Sequence, residues 1–188
     1  MKVDILMASY NGEKYIGEQI ESIINQSYKD WTLNIRDDAS TDGTRVIIRQ
    51  YMMKYPDKIK LFTNMENSGS PRSNFFELIK NSDADVIFTC DQDDIWERDK
   101  IEITLKEFDN KDKPILVHSD LTVIDDENKV IFPSMIKAQH IDTSRTTLNK
   151  LLVQNIVTGC TMAFNRALAD ILAEPELLPV HDWWIAAV

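Results

Sequence analysis

The stretch VIFTCDQDD at residues 86–94 joins an apolar run directly to a cluster of carboxylates. A continuous run of this kind, without polar alternation, is typical of a strand buried on both faces of a parallel sheet. Charged carboxylates are costly to bury, so they belong where the strand leaves the sheet. In open α/β sheets, ligands bind beyond the carboxyl ends of the strands. The stretch therefore predicts a parallel α/β sheet with an acidic ligand site at its edge.

The residues before this stretch alternate between short apolar runs and longer segments of helical period. The pattern predicts strands over residues 3–7, 31–35, 59–63 and 86–90. It predicts helices through residues 15–26, 46–51 and 74–80. This alternation indicates an α/β fold with a Rossmann-like, mostly parallel central sheet flanked by helices.

The residues after the stretch are less regular. They predict a helix near residues 100–108, a strand at 115–118 that extends towards residue 123, and a return strand near 129–132. They also predict a helix near residues 148–153 and a strand at 160–164. We expect this part to have an irregular α+β arrangement.

Composition restricts the class of protein. The 188 residues suffice for one domain with a sizeable core. Lys and Arg number 21 against 31 Asp and Glu, and a net charge of −10 argues against a nucleic-acid partner.

Cys90 and Cys160 lack metal-ligand spacing and cannot build a disulfide framework, which is typical of a reducing cytoplasm. The sequence shows neither a signal peptide nor an apolar run of membrane-spanning length, so we expect at most peripheral contact with the inner face of the plasma membrane.

Two polar turns follow predicted strands at residues 9–10 and 37–38, and both should reach the edge where the acidic stretch emerges. Tyr10 can stack on a nucleotide base, and the Asp38 carboxylate can accept the ring N–H of a pyrimidine. Asp38 also has a simpler interpretation, because it can cap the helix that follows it.

Asp91 and Asp93 lie one residue apart at the end of the buried strand. Two carboxylates in this arrangement can share a hard divalent cation that keeps coordination sites for diphosphate oxygens. The alternative is an acidic turn or a helix cap without a metal. The preceding buried strand and the second acidic turn favour the metal site.

Three segments in this order carry a family resemblance: SYNG at residues 9–12, DDASTDGT at 37–44 and CDQDDIW at 90–96. Together they resemble the family 2 glycosyltransferases, and HDWW at 181–184 is similar to their bacterial rhamnosyltransferase-like branch. The resemblance implies a GT-A fold and inverting transfer of a sugar from a UDP- or dTDP-sugar to a saccharide or lipid-linked acceptor. It also implies Mn²⁺ or Mg²⁺ as cofactor and a place in bacterial cell-surface polysaccharide synthesis.

The resemblance further implies roles for individual residues of this chain. Ser9, Tyr10 and Asp38 would hold the base. Asp91 would hold the ribose and share the metal with Asp93, which would bind the cation on the donor diphosphate.

Three other residues receive roles from the same resemblance. Arg72 would lie near the diphosphate, although a solvated arginine is the alternative for this loop. Asp94 would be a further metal ligand or would support the ligands. Asp182 would be the general base that accepts the proton of the acceptor hydroxyl, and its alternative role is a helix N-cap after Pro179.

These roles divide the single domain 1–188 into a nucleotide-sugar-binding half, residues 1–100, and an acceptor-side half, residues 101–188. The apolar run 183–188 has no polar stop, so we expect further helices to be missing beyond it.

Two other functions stay open. A non-catalytic module that binds a sugar nucleotide or a glycan would share the fold. A metal-dependent phosphohydrolase with an aspartate nucleophile would share the acidic pair, but its pair follows an early strand, whereas this pair comes late and is followed by Ile95 and Trp96.

Overall fold

The computed structural model describes residues 1–109, 112–144, 146–151, 153–173 and 180–188. Its strands are β1 (Val3–Ser9), β2 (Trp31–Asp37), β3 (Ile59–Thr63), β4 (Val86–Cys90), β5 (Leu116–His118), β6 (Val123–Ile124), β7 (Val130–Phe132) and β8 (Met162–Asn165). Its α-helices are α1 (Ile16–Ile24), α2 (Thr44–Lys54), α3 (Pro71–Lys80), α4 (Lys100–Leu105), α5 (Met135–Ala138), α6 (Leu148–Leu151), α7 (Arg166–Ala169) and α8 (His181–Ala187).

Six of these strands form one sheet in the order β3-β2-β1-β4-β8-β5. Strands β1 to β4 are mutually parallel, as the sequence predicted, whereas β8 runs antiparallel to both β4 and β5. Strands β6 and β7 pair in a separate two-stranded sheet. The predicted extension of β5 towards residue 123 is therefore wrong.

Several predicted boundaries also need correction. Strands β1 and β2 each run two residues further than predicted, because Ser9 still pairs with Asp37 in the parallel ladder. Helix α3 begins at Pro71 because proline is well suited to the first helical position. The last predicted strand begins at Met162, since Gly159–Thr161 form a 3₁₀ turn. The predicted helix at 148–153 is observed over Leu148–Leu151. Residue 152 lies outside the described residues, and residue 153 is in a turn.

The sheet separates two apolar clusters, as the alternation of side chains along β1 requires. Val3, Ile5 and Met7 lie in the cluster that includes residues of α1, α2 and α4. Leu6 lies in the other cluster, with residues of α3, α7 and α8. Helices thus cover both faces of the sheet, which is why β4 is buried at every position.

The tryptophans Trp31 and Trp96 are 4% and 6% exposed and belong to the core. His118 lies half-buried in β5, and His140 lies in an exposed turn. Within the described part of the chain, no helix has both the length and the apolar character that crossing a membrane requires.

Candidate functional site

An open cleft of about 510 Å³ lies at the carboxyl ends of the parallel strands. Its lining residues are Ala8, Ser9, Tyr10, Asp38, Asn67, Gly69, Ser70, Pro71, Asn74, Asp91, Gln92 and Asp93. Five of the residues that the sequence singled out therefore meet here: Ser9, Tyr10, Asp38, Asp91 and Asp93.

The strand order explains where the cleft forms. From β1 the chain proceeds outward through β2 and β3, and it then returns to place β4 on the opposite side of β1. The helices that follow β1 and β3 consequently lie on opposite faces of the sheet, since α1 belongs to one apolar cluster and α3 to the other. A crevice opens at this kind of reversal, where α/β proteins bind their ligands.

Asp38 lines the cleft, but hydrogen bonds already engage both of its carboxylate oxygens. Oδ1 accepts from Asn64 Nδ2 at 2.6 Å and from the backbone N–H of Ser68 at 2.9 Å, and Oδ2 accepts from Ser68 Oγ at 2.9 Å. Burial raises the pKa of Asp38, but the hydrogen bonds from Ser68 and Asn64 outweigh it, so its pKa lies below the ordinary value. Asp38 is therefore ionised at neutral pH and tied to the loop after β3.

Asp37 is fully buried and shapes the turn that presents Asp38. It accepts hydrogen bonds from Ser40 N at 3.0 Å and from Ser9 Oγ at 3.3 Å, and Arg45 Nε lies 3.6 Å from its Oδ1. Ala39, between the acids and Ser40, has φ 59°, a left-handed conformation that is uncommon for alanine. The Ser9 hydroxyl thus donates its proton to a hydrogen bond with Asp37 within the protein.

The acidic loop concentrates negative charge. Burial raises the pKa of Asp91 to about 7, and repulsion from Asp94, Asp93 and Asp182 adds to this shift. Burial raises the pKa of Asp94 as well, and its buried Oδ2 has no hydrogen-bond partner among the described residues. The loop therefore favours any ligand that brings positive charge.

The described residues include one group whose ligand atoms lie within 4.8 Å of one another, formed by Asp91, Asp94 and Cys160. Asp93 lies outside this group and is exposed in the cleft. Burial and the nearby carboxylates raise the pKa of the Cys160 thiol, so it stays protonated and is a poor ligand. The carboxylates fit a hard divalent cation, because Mg²⁺ and Mn²⁺ prefer oxygen ligands.

Asp182 is in the first turn of α8 and reaches the same region from the second half of the chain. Its Oδ2 accepts from the backbone N–H of Gly159 at 3.1 Å, and its Oδ1 accepts from the N–H of Trp183 at 2.6 Å. Burial raises its pKa in spite of these two hydrogen bonds. Val180 occupies the N-cap position, so Asp182 is not the helix cap; Pro179 lies outside the described residues.

His181 anchors the start of α8. Its ring stacks on Phe75 of α3 with centroids 3.9 Å apart, and its Nε2 has no hydrogen-bond partner among the described residues. Burial lowers its pKa to about 4, so the ring is neutral at physiological pH. Gly159 packs closely against it, since a Cβ at that position would lie 3.0 Å from Nε2.

Arg72 is the one nucleotide-site prediction that the structure does not place on the cleft wall. It is the second residue of α3 and is half-buried. Pro71 and Asn74, three residues apart on the helix, face the cleft, and Arg72 projects about 100° away from Pro71.

Sequence reasoning missed the residues that support the site. Asn64 and Ser68 could have been found, because they follow β3 at the same edge of the sheet. Gly159 and Cys160 gave no such signal. They precede β8, which reaches this edge only because it runs antiparallel to β4.

The comparisons with known proteins agree with this architecture. The sequence profile of Glycosyl transferase family 2 matches residues 4–172. The dTDP-rhamnosyl transferase RfbG of Shigella flexneri is 44% identical over 98 residues, covering 50% of this chain and 34% of that protein. The UDP-Glc:alpha-D-GlcNAc-diphosphoundecaprenol beta-1,3-glucosyltransferase WfgD of Escherichia coli is 29% identical over 174 residues, covering 92% of this chain and 64% of that protein.

Among solved structures, the mannosyltransferase PcManGT from Pyrobaculum calidifontis, in complex with GDP-Man and Mn²⁺, has a similar fold. The TM-score is 0.71 at 21% identity, and the match covers 97% of this chain and 50% of that chain. The architecture is therefore that of the GT-A fold. The match spans less than two thirds of the length of each of these three proteins.

Proposed function

The chain belongs to glycosyl transferase family 2, and on this premise we propose that it transfers a sugar from a nucleotide-diphosphate donor to an acceptor hydroxyl, with inversion at the anomeric carbon. The observation that carries the proposal is the meeting of Tyr10 and Asp38 with the acidic loop in one cleft. The first two residues suit a base, and the carboxylates suit a metal-bound diphosphate. A sugar nucleotide carries a base and a diphosphate in this order.

The cation, Mn²⁺ or Mg²⁺, would be held by Asp93 and Asp91, with Asp94 as a further oxygen donor. When bound, it would neutralise charge on the diphosphate leaving group. Asp91 would in addition contact the ribose, and Arg72 would approach the diphosphate only if its side chain turned towards the cleft.

Asp182 would act as the general base. In a single displacement, the acceptor oxygen bonds to the anomeric carbon, the bond to the nucleoside diphosphate breaks, and the acceptor's proton passes to Asp182. Two backbone N–H groups hold its oxygens in place, and burial raises its pKa, which makes it a better proton acceptor than an exposed carboxylate. Trp183 and Trp184 beside it offer apolar faces to a sugar ring.

The proposal extends to the base of the donor and to the class of acceptor. The names of the two curated relatives specify dTDP and UDP donors, and both bases carry the pyrimidine N–H that Asp38 could accept. We therefore favour a UDP- or dTDP-sugar. The acceptor would be a saccharide or a lipid-linked saccharide of a bacterial surface polysaccharide, in line with the lipid-linked acceptor named for one relative.

The test is a calorimetric panel of UDP, dTDP and GDP, each with and without Mn²⁺, followed by an assay for donor hydrolysis and transfer. We expect a pyrimidine diphosphate to bind most tightly and to need the metal. Equal binding without metal would contradict the metal site, and preference for GDP would contradict the base assignment. Binding without any turnover would favour the alternative of a non-catalytic module.

A further inference from the structure

The side chain of Gln92, between the two carboxylates of the acidic loop, is paired with the backbone of Tyr10. Its Oε1 accepts from the Tyr10 N–H at 2.9 Å, and its Nε2 donates to the Tyr10 carbonyl at 3.1 Å. The Gln92 side-chain amide thus both accepts from and donates to the backbone of one residue in the loop after β1. The two hydrogen bonds join the loop that carries Tyr10 to the loop that carries Asp91 and Asp93.

This pairing takes over where the sheet ends. The parallel ladder between β1 and β4 reaches Met7 and Cys90, and the two chains then separate. Backbone N–H and C=O groups that leave a sheet need new partners. A glutamine side chain offers the same donor and acceptor as a peptide group, so Gln92 continues the ladder across the gap to Tyr10.

Gly12 provides the space for this contact. A Cβ at Gly12 would overlap Gln92 Oε1 and lie 2.5 Å from Cδ, and the three nearest atoms all belong to Gln92. The backbone of Gly12 is not in the left-handed region, so other residues could adopt its conformation. A larger residue at this position would displace the glutamine amide that lies against it.

The turn around Tyr10 depends on such contacts. The next residue, Asn11, has φ 47°, a left-handed conformation that asparagine tolerates, and its backbone N–H donates to Ser40 Oγ at 2.9 Å. The Tyr10 side chain is 47% exposed in the cleft, so neighbouring side chains do not fix it by burial. Its position therefore follows the position of its backbone.

We propose that Gln92 is a positioning residue that sets the Tyr10 ring from the acidic loop and so couples the base end of the cleft to its metal end. The inference rests on the proposed function, because it assumes that Tyr10 meets a base. Gln92 itself needs no contact with the donor. A ligand that orders the acidic loop also orders the base platform, and the converse holds by thermodynamic reciprocity.

The experiment is a double-mutant cycle on Gln92→Ala and Gly12→Ala, with UDP and inorganic pyrophosphate as probes in the presence of Mn²⁺. We expect Gln92→Ala to weaken UDP binding about tenfold, because two hydrogen bonds to the Tyr10 backbone are lost. Pyrophosphate lacks a base, so its affinity should stay within about twofold of the parent. That split separates a positioning role from general damage to the acidic loop.

Gly12→Ala should also weaken UDP binding in the parent, because the new methyl group displaces the amide. In the Gln92→Ala background the same change should have no further effect, because the atoms it would overlap are gone. Gly17→Ala is the matched control, since its Cβ would meet nothing closer than 3.9 Å. Thermal unfolding of each variant checks that the fold is retained.

Unchanged UDP affinity in Gln92→Ala, or an equal effect of Gly12→Ala in both backgrounds, would overturn the inference and leave the proposed function intact. Equal losses of UDP and pyrophosphate would likewise overturn it, because Gln92 would then act on the acidic loop alone. A parent protein that binds neither probe would overturn both the inference and the proposed function.

Discussion

The two halves of the chain differ in how much of their secondary structure they bury. Strand β4 is buried at all of its positions, whereas β7 is exposed throughout, with Val130 at 62% and Phe132 at 50%. Helices α1, α2 and α3 have 9, 11 and 10 residues, whereas α5, α6 and α7 have four each. The first half therefore builds the cleft, and the second half reaches it only where its segments dock on that core.

This difference shows which contacts fix the positions of the site residues in each half. The cleft residues follow strands whose register the core fixes, so the end of the cleft proposed for the nucleotide is built on rigid elements. Asp182 comes from the second half, and its position depends on the stacking of His181 on Phe75. Four experiments would break or sharpen this contrast.

The largest effect should come from Asp182, the one residue of the second half with a proposed chemical role. We expect Asp182→Asn to lower the transfer rate about 1,000-fold, because an amide cannot accept the proton, while nucleotide affinity is kept. Steady-state transfer and calorimetric UDP binding measure the two effects. Asp170→Asn, at an exposed acid paired with Arg166, is the matched control. Near-normal transfer by Asp182→Asn would remove the general-base role.

The next effect tests the contrast in burial directly. Phe88 in β4 is 1% exposed and packs against Trp96, so Phe88→Ala should lower the free energy of unfolding by about 3–5 kcal/mol. Phe132→Ala in β7 should cost less than about 1 kcal/mol, because that ring is half-exposed already. Urea unfolding measures both values, and similar losses would mean that the two halves are equally well packed.

Asp93 tests the metal end of the first half. Asp93→Asn should weaken Mn²⁺-dependent UDP binding by about 10- to 100-fold without changing stability, because the loop loses an anionic ligand and the residue is exposed. Asp126→Asn, at an exposed acid beside Lys14, removes the same charge from the second half and should have little effect. Equal binding by the Asp93 variant and the parent would leave Asp91 and Asp94 as the ligands.

The smallest effect concerns pH and the contact between the halves. The folded-state pKa of His181, about 4, lies below its unfolded value, so the unfolded chain takes up the proton first as the pH falls. Stability should therefore decrease by about 2 kcal/mol between pH 7 and pH 4.5 through this group.

The raised pKa values of Asp91, Asp94 and Asp182 act in the opposite direction, so the effect of His181 must be isolated by a variant. His181→Phe keeps an aromatic ring on Phe75 and cannot titrate, and its unfolding curves should lose this part of the pH dependence. His140→Gln, at an exposed histidine, is the control and should keep the parental profile. Identical profiles in all three proteins would show that His181 does not titrate in this window.

The sequence predicted the first half well because its pattern and its packing agree. The run from Val86 to Cys90 is apolar since both faces of β4 are covered, and the turns at Ser9 and Asp38 follow strands whose direction the alternation fixed. The second half was harder to predict. Nothing in residues 162–165 shows that this strand runs antiparallel, and that direction is what brings Gly159 to Asp182.

Single side chains in the site also escaped prediction for a physical reason. A DxD pattern weights its two acids equally, but the three-dimensional arrangement groups Asp94 with Asp91 and leaves Asp93 exposed. The glutamine between the acids carries no charge and matches no motif. Its role follows only from the distance between two loop ends, which no local pattern encodes.

The placement of β4 between β1 and β8 has a consequence for synthesis on the ribosome. Phe88 pairs with Ala163, about 75 residues later, so one edge of this fully buried strand has no partner until that segment emerges. At about 5–20 residues per second, translation leaves this edge open for roughly 4–15 seconds. An unpaired apolar edge invites pairing with other nascent chains. Crowding of ribosomes on the message and slow codons between residues 90 and 163 should therefore govern how much of this protein is recovered in soluble form.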